Sequence, residues 1–448
     1  MLRFLTKIKN FLINKSSHIL IIFVLISYTL LGPLNVNLPI FGTLKPYHIA
    51  LSLASIIFSL IIISSFRSMY RDLPMLVIKF CGLYLIFLIV ITISMFRGFD
   101  LGKSYSLWRN YVANLLLVIL VALTIRHETQ ITAVLYVLIG VTTVGAILGG
   151  LQAAFSPKIS IAYFFLGESW FMEHGSAPVG YAHMPYKFGN DMLIGFLPAL
   201  AFLLGHGLST HRPNHVRFLV LLLIVAVILG GLFLSLGLTS LMGSAIGAIY
   251  IAHKLDVFKN LFKKKFFTFV LFLISSAGLV FSPEIIAWFI NTYTAYQGII
   301  ARWHLALASI HMLQTSPFLG VGLGNFSVFA REYFLKISFE NPEYFLKVLG
   351  GTIATAPHNI FLEILAENGI IGLILYLSIW WYAFHVCGLS DAIKSEISDL
   401  RIAGIGLKGA LIGYMIDAFF HNYTFDNHLW LIIGLCLAVG NLSLRLNE

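Results

Sequence analysis

Apolar runs of about twenty residues recur along the whole chain, and they limit the folds open to it more than any other feature. In lipid, every backbone N–H and C=O must find a partner inside the protein, so only helices and closed barrels span a bilayer. These runs lack the alternation of polar and apolar residues that a barrel strand needs. The chain therefore reads as an all-α, polytopic membrane protein. The runs fall near 18–34, 47–66, 74–96, 107–125, 131–155, 188–206, 216–234, 238–253, 266–282, 359–388, 403–420 and 428–444. That pattern predicts about twelve transmembrane helices, with a weak point where two short runs flank Gly237. Composition agrees. Of 448 residues, 59% are hydrophobic and 11% charged, whereas a soluble chain carries about a quarter charged residues.

The net charge of +10 does not point to nucleic acid, because no basic patch interleaves with aromatic residues. Basic residues instead mark the loops that stay inside the cell. Arg3, Lys7, Lys9, Lys15, Arg71, Arg126, Arg217, Lys254, Lys263, Lys264, Lys265 and Arg401 fall on one side, which places both termini in the cytoplasm. Arg97, Lys103, Lys187, Arg302 and Arg331 fall on the other. The N-terminus has the basic start and apolar run of a signal peptide. It has no small-residue cleavage site and is read as an uncleaved first helix. Cys81, Cys387 and Cys436 lie in apolar runs without metal or disulfide spacing, as packing residues.

The whole chain, 1–448, reads as one membrane domain with two external insertions, 156–187 and 283–357. Loops of that length inside a compact protein are usually functional. Within the second, "ARWHLALASIHMLQTSP" at 301–317 fits a short amphipathic surface helix with Leu305, Ala308, Ile310 and Leu313 on its apolar side, stopped before Pro317. "GVGLGNF" at 320–326 follows. No strand–helix–strand unit surrounds it, so it is read as a tight turn that brings backbone close to something, not as a nucleotide loop. Gly243 and Gly247 have the small-xxx-small spacing of close helix packing.

Ionisable groups at membrane depth are functional candidates. His358, in "APHNIFLEILAENGIIGLILYL", sits just before a membrane helix. It either caps that helix or, as a neutral imidazole, takes a proton from an attacking hydroxyl. Glu363 and Glu367 are four apart on one helix face, where they line a cleft, hold an arginine or orient a base, or else lie in a turn outside the lipid. Arg302 heads the surface helix and suits bidentate phosphate binding, or snorkels to lipid headgroups. Lys187 is a second candidate phosphate contact. Glu173, His174 and His183 match no metal motif, so no metal and no cofactor is expected. Asp417 reads as pairing within the bundle. His421, Asp426 and His428 read as loop residues.

Taken in order, these pieces resemble the O-antigen ligase and polymerase family of bacterial envelope glycosyltransferases. The resemblance rests on an arginine opening a surface helix, a Gly-Val-Gly turn, then His-Asn, nine residues and Gly: here Arg302, Gly320, Gly322, Gly324, His358, Asn359 and Gly369. It covers roughly 300–377 and implies a GT-C-like, metal-independent, inverting glycosyltransferase in the bacterial inner membrane. The donor would be a glycan on undecaprenyl pyrophosphate, and the acceptor lipid A-core or another glycan at the periplasmic face. His358 would activate or position the acceptor, and Arg302 would hold the pyrophosphate. Asn359, Glu363, Glu367, Gly322, Gly324 and Gly369 would support them. One departure stands out. The family often has Ser-Arg-Gly where this chain has "LGLTSLMGSAIG", so a second cation would come from Lys187 or Arg331. Ligase is the leading reading and repeat-unit polymerase the alternative. A lipid-linked glycan transporter is the rival of another class, and it would need ionisable groups deep in several spans.

Overall fold

The computed structural model describes residues 36–38, 42–44, 74–155, 185–208, 215–235, 237–257, 293–347, 349, 353, 357–392, 398–421 and 427–447. A short antiparallel hairpin, β1 (Val36–Leu38) and β2 (Gly42–Leu44), comes first. The remainder is helical. The helices are α1 (Met75–Met95), α2 (Leu101–Thr124), α3 (Glu128–Ala154), α4 (Pro185–Leu208), α5 (His215–Leu234), α6 (Leu238–Lys254), α7 (Tyr293–Thr315), α8 (Phe326–Glu340), α9 (Pro342–Lys347), α10 (Ile360–Cys387), α11 (Asp399–Ala418) and α12 (Asn427–Asn447). A 3₁₀ turn, Gly388–Ala392, follows α10.

Among the described residues, seven helices are long and apolar enough to cross a membrane: α1 to α5, α10 and α12. Two more expected runs, 238–253 and 403–420, form α6 and α11. The runs at 18–34, 47–66 and 266–282 lie outside the described residues, as do Glu173, His174 and His183. The doubt at Gly237 resolves into two antiparallel helices. Arg217, at the start of α5, pairs with Asp399 at 3.8 Å, and Lys254, at the end of α6, pairs with Asp391 at 3.1 Å. Both acids flank the start of α11, so α5 and α6 begin and end at the same end of the bundle.

Polar groups at the helix starts satisfy orphan N–H groups. Asp100 Oδ1 accepts from Lys103 N at 2.9 Å, Asn359 Oδ1 from Leu362 N at 3.0 Å, and Ser398 Oγ from Arg401 N at 3.2 Å. α1 is stopped differently. The chain leaves α1 through Arg97 and Gly98 and turns directly into α2 at Asp100.

α4 and α12 form the centre, with 89% and 83% of their spanning windows buried; α5 is peripheral, with 28%. An aromatic layer of Tyr84, Phe87, Tyr376 and Trp430 fills the space between α1, α10 and α12, with Tyr84 and Trp430 rings 5.3 Å apart. Lipid is as apolar as the core, so helices here associate through close packing and hydrogen bonds. α6 and α11 show this. A Cβ on Gly243 would land on the carbonyl oxygen of Gly413, and one on Gly247 would come within 2.7 Å of that of Gly409. The expected small-residue contact is present, backbone to backbone. Cys387 and Cys436 are buried in the core, and Cys81 is half-buried.

α7, α8 and α9 form a smaller body with its own core of Leu305, Ala308, Met312, Phe326, Phe334 and Phe345. α7 is longer than the sequence suggested but does end before Pro317. Its inward side is Leu305, Ala308 and Met312; Ile310 points outward, together with Trp303. The expectation for Ile310 was wrong because helical spacing places it beside Trp303, opposite the buried trio.

Candidate active site

The site is built where α10 begins. His358 has φ of 49°, in the left-handed region. That region is sparsely used by residues other than glycine, although histidine visits it more often than most. Asn359 then returns to extended backbone and caps α10. The kink turns the chain abruptly into the helix, with Pro357 buried and the His358 ring half-buried at the mouth. Backbone outliers of this kind cluster at functional sites.

Three turns on, α10 breaks. Gly369 has φ of 67° and ψ of −171° inside the helix. The break releases carbonyls that the Gly-Val-Gly turn satisfies. Val321 N donates to Ala366 O at 2.9 Å, Gly322 N to Glu367 O at 3.1 Å, and Ile370 N to Pro317 O at 2.9 Å. Ser94 Oγ, from α1, adds a bond to Glu367 O at 2.7 Å. Gly320, Gly322 and Gly324 all have positive φ. A Cβ on Gly320 would collide with the Glu367 carbonyl carbon, and one on Gly369 with the Phe318 carbonyl. The expected close approach of backbone is therefore to α10 itself. It locks α7 and α8 against the membrane helix that carries His358.

Glu367 belongs to this lock. It is buried, and its Oε1 accepts from Phe326 N at 3.1 Å, at the start of α8. Its side-chain oxygen thereby satisfies one of the orphan N–H groups at the start of α8. Its side chain is thus turned toward α8 and away from any open cleft. Glu363 lies half-buried in the first turn of α10. Nearby, Lys103 Nζ donates to Ser327 Oγ at 2.7 Å, and Asn325 Oδ1 accepts from Phe99 N at 3.1 Å, which ties the α1–α2 turn to the same junction.

Arg302, on α7, is exposed and makes no hydrogen bond or ion pair with a described residue. Its charge reaches His358. Burial, then Arg302, then His421 push the His358 pKa down to about 4. The imidazole is therefore neutral at neutral pH, with a lone pair available to accept a proton. Desolvation also lowers the Arg302 pKa, but a guanidinium keeps its charge at physiological pH.

His421 was missed in the sequence, where it reads as a loop residue. Phe361 in the first turn of α10 packs its ring 4.6 Å from Phe419, just after α11, which brings the two histidine-bearing segments together. The only local signal is that Asp417 and His421 are four apart at a helix end. Asp417 does pair within the bundle, as expected: its Oδ1 accepts from Thr239 at 2.5 Å and Ser240 at 3.1 Å, and lies 3.3 Å from His421 Nδ1.

Lys187 is only slightly exposed and pairs with Asp191 at 3.0 Å, so its charge is already matched. His428, expected in a loop, is buried in the first turn of α12 and stands 3.0 Å from the same carboxylate. Arg331 is exposed on α8 and bonds no described residue. A cleft of about 420 Å³ opens between α7 and α8, bordered by His311, Thr315, Tyr333 and Lys336. Helical spacing puts it on a different face of α7 from Arg302. The candidate centre is therefore the mouth of α10, where both Arg302 and His421 lower the pKa of His358.

Residues 193–377 match the family model for O-antigen ligase. The match runs from within α4 into α10. It includes Arg302, the glycine turn, His358 and Gly369, and stops before Asp417 and His421. No curated protein matches the chain.

Proposed function

We infer a glycosyl-transfer reaction for this chain, whose residues 193–377 match the family model for O-antigen ligase. The proposed enzyme moves a glycan from undecaprenyl pyrophosphate to a hydroxyl of lipid A-core, at the periplasmic face of the bacterial inner membrane. The observation that carries this reading is a neutral, half-buried His358 at the start of a membrane helix, its pKa lowered by an Arg302 guanidinium that pairs with no described residue.

Arg302 grips the pyrophosphate through two parallel N–H bonds. The acceptor oxygen attacks the anomeric carbon from the face opposite the leaving group, so configuration inverts. The bond from that carbon to the phosphate oxygen breaks, and its electron pair leaves with the pyrophosphate. Fixed positive charge helps most at this point, because the leaving group gains charge as the bond breaks. His358 takes the hydroxyl proton. The groups needed are cationic and basic side chains, so the scheme proceeds without a metal ion.

Binding and proton transfer are coupled in this arrangement. In the empty site, Arg302 disfavours a protonated His358. A bound pyrophosphate cancels that charge, so His358 becomes a stronger base when the donor is in place. The second phosphate contact that the resemblance requires has two candidates in Arg331 and Lys187, and Lys187 would have to leave Asp191 to supply it.

The test is complementation in a host lacking its own ligase, with wild type, His358→Ala and Arg302→Ala at matched membrane levels. A lipopolysaccharide ladder with wild type, lost in both variants, supports the ligase. A wild type that restores no ladder there but restores polymer in a polymerase-deficient host would replace ligation with repeat-unit polymerisation. A ladder that survives His358→Ala would remove the histidine from the reaction.

A further inference from the structure

The reaction above leaves the cleft between α7 and α8 unused. Its volume of about 420 Å³ falls within the range of small-ligand pockets, about 300–1,000 Å³. The floor is apolar, with Ala308 and Met312 from α7 and Phe329 from α8. The rim is not. Glu332, Lys336 and Glu340 recur at every fourth residue of α8, so acid, base and acid share one side. Tyr333 completes that wall and is tied down from behind. His304 Nδ1 lies 3.5 Å from its hydroxyl, and Nε2 lies 2.9 Å from that of Tyr344, on α9. Burial lowers the His304 pKa, so the ring is neutral, with one N–H and one lone pair. It donates to one phenol and accepts from the other.

The chemistry of the walls narrows the occupant. The cleft opens to water: Lys336 and Glu340 pair at 3.8 Å with side chains 72% and 65% exposed. α7 and α8 are not among the described spanning helices and share a core of their own. On the α8 wall, two carboxylates against one ammonium leave a net charge of −1, which repels a phosphate or a polyanion. An acyl chain would cover the polar rim without giving it partners, at a cost. A pyranose suits both parts. Its ring presents C–H groups on one face, for the floor, and hydroxyls at its edge, which donate to the carboxylates and accept from Lys336. Position narrows it further. His311, at the rim, follows Arg302 by nine residues. That is about 14 Å along α7, on the opposite face of the helix. A sugar in the cleft is therefore several units from a pyrophosphate held by Arg302.

We propose that the α7–α8 cleft is a glycan-binding subsite, which holds uncharged or amino-bearing sugars of the donor chain at a distance from the pyrophosphate. This rests on the glycosyl-transfer reading above. The cleft makes and breaks no bond. It grips the chain, and binding energy from that remote part of the substrate orients the reacting end. The donor, not the acceptor, is the occupant because one helix carries both grips: Arg302 for the pyrophosphate and the cleft for the sugars behind it. The glycine turn locks the end of that helix against α10, through Val321 N to Ala366 O and Ile370 N to Pro317 O, both 2.9 Å. Chain and reacting end are thus held by one rigid unit.

The experiment uses the full-length protein in nanodiscs: wild type, Ala308→Leu, which fills the floor, Glu332→Ala, which strips an exposed rim carboxylate, and Arg302→Ala. The first probe is the free sugar chain, released by mild acid from the prenyl-pyrophosphate pool of cells that make the protein and titrated by calorimetry. Wild type and Arg302→Ala should bind it alike, because the free chain carries no pyrophosphate. Glu332→Ala should weaken binding about ten-fold, the value of one hydrogen bond to a charged group. Ala308→Leu should abolish it. The second readout is transfer from prenyl-pyrophosphate donors that bear either one sugar or the full chain. In Glu332→Ala the ratio of full-chain KM to one-sugar KM should rise by the same factor of about ten, whereas a merely structural lesion would penalise both donors equally. A free chain that wild type does not bind, or that Glu332→Ala binds as well as wild type, would overturn the proposal. So would binding lost in Arg302→Ala, which would place the chain at the mouth of α10. Core oligosaccharide bound in place of the donor chain would give the cleft to the acceptor. A phospholipid retained by wild type in native mass spectrometry and lost by Ala308→Leu would give it to an acyl chain. Either result overturns the donor subsite. A wild type that binds the free chain but transfers none would sink the transfer reading alone and leave the cleft as a glycan site.

Discussion

At the residue scale, the site turns on how one histidine is kept neutral. An ordinary histidine titrates near 6.5, whereas His358 is pushed down to about 4 by burial, Arg302 and His421. The proposed transfer needs the unprotonated ring, so activity should be present above that value and be lost as pH falls through it. The acid limb of kcat/KM, which reports the free enzyme, should lie near pH 4 rather than near 6.5. The limb of kcat should lie higher, because bound pyrophosphate offsets the Arg302 charge. Arg302→Gln should raise the kcat/KM limb and weaken donor binding together. A profile with its acid limb near 6.5 in wild type, unmoved by Arg302→Gln, would mean that neither burial nor Arg302 governs the base. Removing the ring itself, as in His358→Ala, should reduce kcat by roughly 10²–10⁴-fold. The place of His358 at the start of a helix was legible in the sequence because a polar residue at a span boundary stands out. The influence of His421 on it was not, since nothing in a linear pattern says which helix ends meet.

At the scale of elements, the junction between α10 and the turn at 320–324 decides whether the site exists at all. Its glycines were readable as close approaches because only glycine tolerates both the positive φ and the missing space. What they approach was not readable. The break at Gly369 makes α10 its own docking surface, and a helical pattern gives no sign that carbonyls at 366 and 367 are released. Gly369→Ala adds a methyl group against the Phe318 carbonyl and a strained φ, a cost of about 1–3 kcal/mol before any clash. It should lower the melting temperature in detergent and loosen α7 and α8 to protease. A variant that melts with wild type would show that the break is not under strain. Glu367 gives a sharper case. Glu363 and Glu367 share a face, as their spacing implies, but the partner of Glu367 is an N–H on another helix. Glu367→Ala leaves the Phe326 N–H buried without an acceptor, worth about 1–3 kcal/mol. Glu367→Gln keeps an oxygen there and should retain both stability and activity. If Glu367→Gln folds normally and is inactive, the acid has a chemical role beyond the cap.

At the scale of the whole molecule, the bundle has two unlike ends. One gathers the start of α10, Arg302, the Asp417–His421 cluster and the Lys187–Asp191–His428 group. The other gathers the starts of α5 and α11 and the end of α6, tied by Arg217–Asp399 and Lys254–Asp391. Most of the described buried acids and bases form pairs near these ends, Glu367 with its backbone partner being the exception, which suits chemistry at one face better than passage through the centre. Which end faces the cytoplasm follows from short loops, since long insertions escape the positive-inside rule. Arg126, Arg217, Lys254 and Arg401 crowd the second end, and Lys263, Lys264 and Lys265 follow α6 in the sequence. At the first end most of the basic residues belong to the long segment of α7 to α9, which carries no such weight. The site should therefore face outward. Single cysteines at Glu340, exposed on α8, and at His253, exposed at the end of α6, report the two ends. Of the native thiols only Cys81 is partly accessible, so Cys81→Ser supplies a quiet background. A membrane-impermeant maleimide added to right-side-out vesicles should label Glu340→Cys and spare His253→Cys, and inverted vesicles should reverse the result. The opposite pattern would put His358 and Arg302 on the cytoplasmic side. Donors presented outside would then be beyond their reach, and transfer at the periplasmic face would be ruled out.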